Sequence, residues 1–162
     1  MQPTAAPPAV PGPDPEPEPV PYPHRLRFEE RHRSGIVLGH ERDHTVLRAW
    51  VRGTVLGPAA NCVTRVADAL VSNAHRHTLS GEPGGSVHVV IDQNPFLLAL
   101  RVTDNGPRPG ARIPYPRLGE PGRGPLSGLR LVEELTVYWD WEWEWRGTTM
   151  GPLTIRAVIE TP

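Results

Sequence analysis

The hydrophobic pattern changes period several times along the chain, and each change marks an element. Between His24 and Glu30, Leu26 and Phe28 alternate with Arg25, Arg27 and Glu29, which is the two-residue period of a short strand. Residues 31–40 hold only an apolar knot, Ile36-Val-Leu38, without a clear period. From Glu41 the period lengthens. Val46, Leu47, Trp50, Val51, Thr54 and Val55 recur at steps of three and four, an amphipathic helix that ends at Gly57-Pro58. A second helix follows, with Asn61 as its expected cap. Val63, Val66, Ala67, Leu70, Val71 and Ala74 form its buried stripe, which runs to about His77.

Ser80 to Gly85 is a turn cluster, and period-two segments return after it. Val87–Ile91 and Phe96–Val102 read as a hairpin joined by Asp92-Gln-Asn-Pro95. Asp104 to Gly124 is a long Gly- and Pro-rich loop, a length usually tied to function or disorder. Gly128–Leu135 carries a third helical pattern, and Thr136–Trp145 and Leu153–Ile159 close with two strands. This order predicts an α+β fold: a two-layer sandwich, with a mixed sheet and helices packed on one face.

Composition narrows the class. Of 162 residues 21 are Pro, and ten of these fall between Pro3 and Pro23. Residues 1–23 are therefore expected to be an extended or disordered Pro-rich tail, and residues 24–162 a single domain large enough to bury a core. Seventeen basic residues face 18 acidic ones, so the chain lacks the basic field of a nucleic-acid binder. Every basic residue is Arg, which excludes Schiff-base and phosphate-gripping lysine chemistry. The single Cys62 excludes an internal disulfide and points to a reducing compartment. With no apolar run of membrane-spanning length and no signal-peptide pattern, the expected location is cytoplasmic.

Three segments carry candidate chemistry. The second helix contains Leu70-Val-Ser-Asn73-Ala74 and, four residues after the Asn, His77. Asn is a poor helix-interior residue unless its amide has a specific partner, and its oxygen suits a hard cation. The strand ending at Val102 runs into Asp104-Asn-Gly106, where glycine permits a sharp turn. Gly122-Arg-Gly124 and Ser127-Gly128-Leu129 open the third helix, and glycines there let an anion reach backbone N–H groups.

In this order and spacing the segments resemble the ATP-binding fold shared by gyrase, heat-shock chaperone, histidine kinase and mismatch-repair ATPases (the GHKL or Bergerat type). The similarity is greatest to the small anti-sigma-factor serine/threonine kinases and their actinobacterial relatives. The resemblance spans roughly His24 to the C-terminus. It implies that Asn73 holds the Mg²⁺ bridging the ATP phosphates, with His77 in its family position. It further implies that Asp104 accepts the adenine amino group, that Gly106 turns the backbone beneath the base, and that Gly124, Gly128 and Leu129 line the phosphate side. A late threonine near the nucleotide corresponds to Thr148, Thr149 or Thr154, with Thr154 taken here.

The chain also departs from that family. Its kinases place a Glu four residues before the Asn as the general base, and this sequence has Ala69 there. Asp68 lies next to it, but on an ideal helix it is rotated about 100° from the Ala69–Asn73 row. Losing a general base costs about 10²- to 10⁴-fold in rate. Pro107-Arg-Pro109 replaces a family glycine, and Ser127-Gly-Leu129 replaces Arg-Gly-Leu. The expectation is an ATP-binding regulatory protein that contacts a sigma factor or an anti-sigma antagonist, with weak or lost phosphotransfer. The alternative is an interaction or dimerisation module that keeps the fold without cycling nucleotide.

Other readings carry less. His75-Arg-His77 lacks the spacing of a helical zinc pair, and surface histidines are expected. No nucleophile-elbow pattern supports Ser-His-Asp catalysis. Trp139-Asp-Trp-Glu-Trp-Glu-Trp145 alternates strictly, so four Trp line one strand face and Asp140, Glu142 and Glu144 the other. Four Trp on one face point to a cover over the helices or to a dimer or partner surface.

Overall fold

A computed structural model describes residues 20–41, 44–111 and 128–161. Most of the Pro-rich tail, and the loop segment 112–127 with Gly124 and Ser127, lie outside the described residues. The elements run β1 (His24–Leu26), β2 (Arg33–Gly39), α1 (His44–Thr54), α2 (Ala59–His77), a 3₁₀ turn (Leu79–Gly81), β3 (Ser86–Gln93), β4 (Leu97–Thr103), α3 (Leu129–Leu135), β5 (Tyr138–Arg146) and β6 (Thr149–Glu160). The six strands form one sheet in the order β1-β2-β3-β4-β6-β5. The architecture is a two-layer α+β sandwich, as the period changes predict.

The strand directions differ from the mixed sheet expected from sequence, since every strand pairing among the described residues is antiparallel. The reason lies in the last hairpin. β4 and β5 point the same way, but β6, not β5, enters the sheet beside β4. The hairpin therefore presents its antiparallel arm to β4, and β5 is left as the edge strand.

Alternation explains the two faces. Ile36 and Leu38 of β2, Val87, Val89 and Ile91 of β3, Leu98, Leu100 and Val102 of β4, and Leu153, Ile155, Ala157 and Ile159 of β6 all turn toward the helices. They pack there against Leu47, Trp50 and Val51 of α1, Val63, Val66, Ala67, Leu70 and Val71 of α2, and Leu129 and Val132 of α3. A fully buried Leu or Val contributes about 1.5–3 kcal/mol of transfer free energy, so this continuous layer is the main stabilising feature. The opposite sheet face is polar and tied by ion pairs. Asp92 takes Arg33 at 2.5 Å and also Arg101, and Asp140 takes Arg156 at 2.5 Å.

Several local expectations change in the structure. Residues 33–39, without a clear period in the sequence, form β2, because Val37 is buried too and breaks the alternation. The first strand ends at Leu26 rather than Glu30. Asn61 is not the cap of α2; the helix starts two residues earlier, after Pro58, whose fixed φ suits a helix entrance. His75 is not a surface residue. It lies four positions after Val71 on the core stripe, is 1% exposed, and donates from Nε2 to the Gly39 carbonyl at 2.9 Å. Pro152 does not interrupt β6: two residues, Gly151 and Pro152, stand opposite Glu144 in a bulge, where a missing N–H is tolerated. Among the described residues, no helix is long and apolar enough to cross a membrane.

Candidate functional site

Helices α1, α2 and α3 enclose a groove of about 480 Å³ on the outer side of the helical layer. Its floor is the solvent-facing side of α2, where Arg65, Asp68, Ala69, Ser72, Asn73 and Arg76 recur at helical steps. One wall is the first turn and a half of α1, with His44 and Arg48, and the other is Gly128 and Leu131. Among the described lining residues, three guanidinium groups and one carboxylate leave a cationic balance, which favours an anionic occupant.

Asn73 lies in the groove lining. Its Oδ1 points toward Gly128, and a Cβ on Gly128 would sit 3.8 Å from that oxygen. Gly128 has φ +58° and ψ −136°, a conformation that side-chain-bearing residues rarely adopt, so glycine at this helix entrance is required by the backbone. Leu129 is buried in the core beneath the groove and supports the wall rather than lining it. Gly124 lies outside the described residues.

The Asp104–Gly106 turn is built separately, at the end of β4. Asp104 is 6% exposed, and its Oδ1 accepts from the Gly106 N–H at 2.7 Å and the Leu153 N–H at 3.0 Å. Burial pushes its pKa up, and the two backbone hydrogen bonds pull in the opposite direction. Gly106 has φ +93°, and a Cβ there would lie 2.7 Å from the Gly151 carbonyl oxygen, so both conformation and space demand glycine. Asn105 acts as a clamp: its Oδ1 accepts from the Ser86 N–H at 2.6 Å, and its N–H donates to Ser80 Oγ at 2.9 Å. The Leu79 N–H donates to the Gly106 carbonyl, which fastens the end of α2 to this turn.

His77 is exposed at the last residue of α2, beside Arg76 and Arg108. Partial burial, chiefly, and these two cations hold its pKa below the ordinary histidine value. Thr154 is not with Asp104. The alternation of β6 sends it to the opposite, polar face of the sheet, where its hydroxyl pairs with that of Thr103 at 2.8 Å. That placement puts Thr154 on the face of the sheet away from the helices. Thr149, the alternative, bonds the Arg146 carbonyl in the β5–β6 turn. The described lining of the groove thus brings together Ala69, Asn73 and Gly128. Asp104 and Gly106 stand apart from it, at the C-terminal end of α2.

Asp68 also enters the groove, contrary to the helical-wheel argument. The space between α1 and α3 is wide enough to take two adjacent rows of α2, Asp68–Ser72 and Ala69–Asn73. Its carboxylate is engaged across the groove by His44 Nδ1 at 3.0 Å and Arg48 Nε at 2.6 Å. Ser72 Oγ lies 3.4 Å from the other ring nitrogen, His44 Nε2. His44, Arg48, Arg65 and Arg76 carried no signal in a motif reading, and Ser72 entered it only as part of Leu70-Val-Ser-Asn73-Ala74. Spacing does hold a trace of them: residues 65, 68, 72 and 76 share one helical stripe, as do 44 and 48.

At the sheet edge, Trp139, Trp141 and Trp143 stand opposite Ala157, Ile155 and Leu153 and so share the helix-side face. Trp139 and Trp143 pack against the core, whereas Trp141 and Trp145 remain 41% and 62% exposed. The register shift between Trp143 and Trp145 breaks the four-Trp row expected from strict alternation.

Comparison with protein-family models and with curated proteins finds no match to this chain.

Proposed function

We propose that this is a cytoplasmic ATP-binding regulatory protein of the GHKL type, acting through contact with a sigma factor or an anti-sigma antagonist. The carrying observation is the cationic groove along α2, in which the Asn73 amide oxygen faces Gly128 among Arg48, Arg65 and Arg76. That donor set fits Mg²⁺ with a polyphosphate. Mg²⁺ usually keeps several waters and takes few protein oxygens plus phosphate, and guanidinium groups neutralise the remaining charge. Asn73 would hold the ion, which supplies charge neutralisation at the phosphates, and the three arginines would grip phosphate oxygens. Asp104 would select adenine, since Oδ1 is committed to backbone N–H groups and Oδ2 is the oxygen that a base amino group would use. Transfer to an external hydroxyl would be slow, because Ala69 supplies no base at the position where the related kinases carry Glu.

Titration calorimetry with Mg²⁺ and ATP tests this reading. Binding by the wild type, weakened at least tenfold in Asn73→Ala and in Asp104→Asn, is the expected result. No heat of binding in the wild type overturns it. A second reading, a non-cycling interaction module, is favoured by one separate observation: the exposed Trp141 and Trp145 on the edge strand β5.

A further inference from the structure

Ser72, His44 and Asp68 are joined in a row across the groove between α1 and α2. The carboxylate of Asp68 is paired with Arg48 and acts only as an acceptor, so His44 Nδ1 must carry the proton of their 3.0 Å bond. In a neutral imidazole that choice leaves Nε2 as the acceptor, and Nε2 is the atom that faces Ser72 Oγ at 3.4 Å. The hydroxyl therefore has a base in line with it, and the base is oriented by a third group. Nucleophile–base contacts are commonly looser without substrate than in the reacting complex, so 3.4 Å is within reach of tightening.

We propose that Ser72 is a phosphoryl acceptor activated by His44, with Asp68 as the positioning residue. The donor is a nucleoside triphosphate, a choice that rests on the nucleotide reading above. The arginines favour phosphoryl over acyl transfer. Arg65 and Arg76 lie on the same stripe of α2 as Ser72, and Arg48 stands across from it on α1, so three guanidinium groups line the groove that holds the hydroxyl. Such a cluster stabilises the charge of a transferring phosphoryl group and binds the phosphoserine product by charge-assisted hydrogen bonds. An acyl group calls for a neutral oxyanion pocket instead.

In the step, the bond from Ser72 Oγ to the terminal phosphorus forms while the bond from that phosphorus to the bridging oxygen breaks. The bridging oxygen keeps the electron pair and leaves as part of the nucleoside diphosphate. The Ser72 proton passes to His44 Nε2 and from there to solvent. The base absent at Ala69 is thus not needed for this acceptor, because Ser72 has its own. The product would also compete with Asp68 for Arg48 and so would loosen the 2.6 Å tie between α1 and α2.

The test uses the whole chain in three parallel measurements. ATP binding is followed by calorimetry. Phosphoryl incorporation from ATP labelled at the γ-phosphate, with Mg²⁺, is mapped by peptide mass spectrometry. Labelling by a fluorophosphonate reports serine nucleophilicity without any nucleotide. The expected result is incorporation at Ser72 that is absent in Ser72→Ala and about 10²-fold slower or more in His44→Gln. Asp68→Asn should lower kcat while leaving KM and calorimetric affinity for ATP unchanged. Fluorophosphonate should label Ser72 in the wild type and not in His44→Gln. Normal ATP binding with Ser72 unphosphorylated and unreactive toward fluorophosphonate overturns the proposal and leaves the nucleotide reading intact. Phosphorylation confined to another residue also overturns it. Absence of ATP binding overturns both.

Discussion

Asp104 shows how one residue serves two requirements that pull apart. Its Oδ1 satisfies two backbone N–H groups at the junction of β4 and β6, and burial makes its charge costly. Asp104→Ala should lose both acceptors and strand two N–H groups, destabilising by about 2–4 kcal/mol in urea unfolding. Asp104→Asn keeps an acceptor oxygen and removes the buried charge, so it should stay within about 1 kcal/mol of the wild type. If the two variants prove equally unstable, the charge rather than the acceptor is what the fold uses. The adjacent Gly106 was legible as a turn glycine, but its close approach to Gly151 was not, since those residues meet only when β6 enters beside β4. Cys62 is a third residue-scale case. Its thiol is half-buried, donates to the Leu135 carbonyl at 3.3 Å, and has its pKa pushed up by burial, with a smaller opposing pull from Arg65. It behaves as a packing residue and not as a reactive nucleophile.

Among the elements, α2 and β5 carry most of the functional interest. The 19 residues of α2 serve the core on one side and the groove on the other, and its two faces were separable from the 3.6-residue period. The groove-facing side was only partly legible. Asn73 and Ala69 stood out by motif, whereas Ser72 and Asp68 acquire a shared meaning only from His44 on α1, more than twenty positions away in sequence. Among the described residues, strand β5 is an edge of the sheet and carries two exposed Trp side chains, a combination that natural edges seldom leave uncovered. Trp141→Ser together with Trp145→Ser should leave the melting temperature nearly unchanged, because neither ring is in the core. If β5 is an interaction surface, the same pair should abolish any concentration-dependent dimer in sedimentation. A wild type that remains monomeric up to millimolar concentration removes the homodimer from the second reading.

Taken as a whole molecule, the fold should be less stable in mild acid. His77 and His88 both have folded-state pKa values below the ordinary histidine value, chiefly through burial, with Arg76 and Arg108 adding for His77 and His24 for His88. The unfolded chain then binds more protons than the folded one just below that pH, so stability falls as pH drops through the unfolded value. Asp104 has the opposite sign. Its raised pKa means that protonation relieves a cost, so its contribution improves as pH falls toward the ordinary carboxylate range. The thermal midpoint should therefore be lower at pH 5.5 than at 7.5, and the His77→Gln, His88→Gln double variant should flatten that difference. An unchanged slope in the double variant would assign the effect to other groups.

The sequence by itself determined the α+β class, the three helices, the hairpin of β3 and β4, and the closing pair of strands. These depend on local periodicity and turn chemistry, which survive in one dimension. It also singled out Asn73, Asp104 and Gly106, through the family resemblance of the segments that carry them. Tertiary structure alone decided that all strand pairs among the described residues are antiparallel, since that follows from which arm of the last hairpin meets β4. It alone placed Thr154 on the far face of the sheet and His75 in the core, and it alone set His44 against Ser72 and Asp68. Each of these depends on how distant elements dock, through burial of apolar faces that are complementary in space but carry no pairing label in the chain.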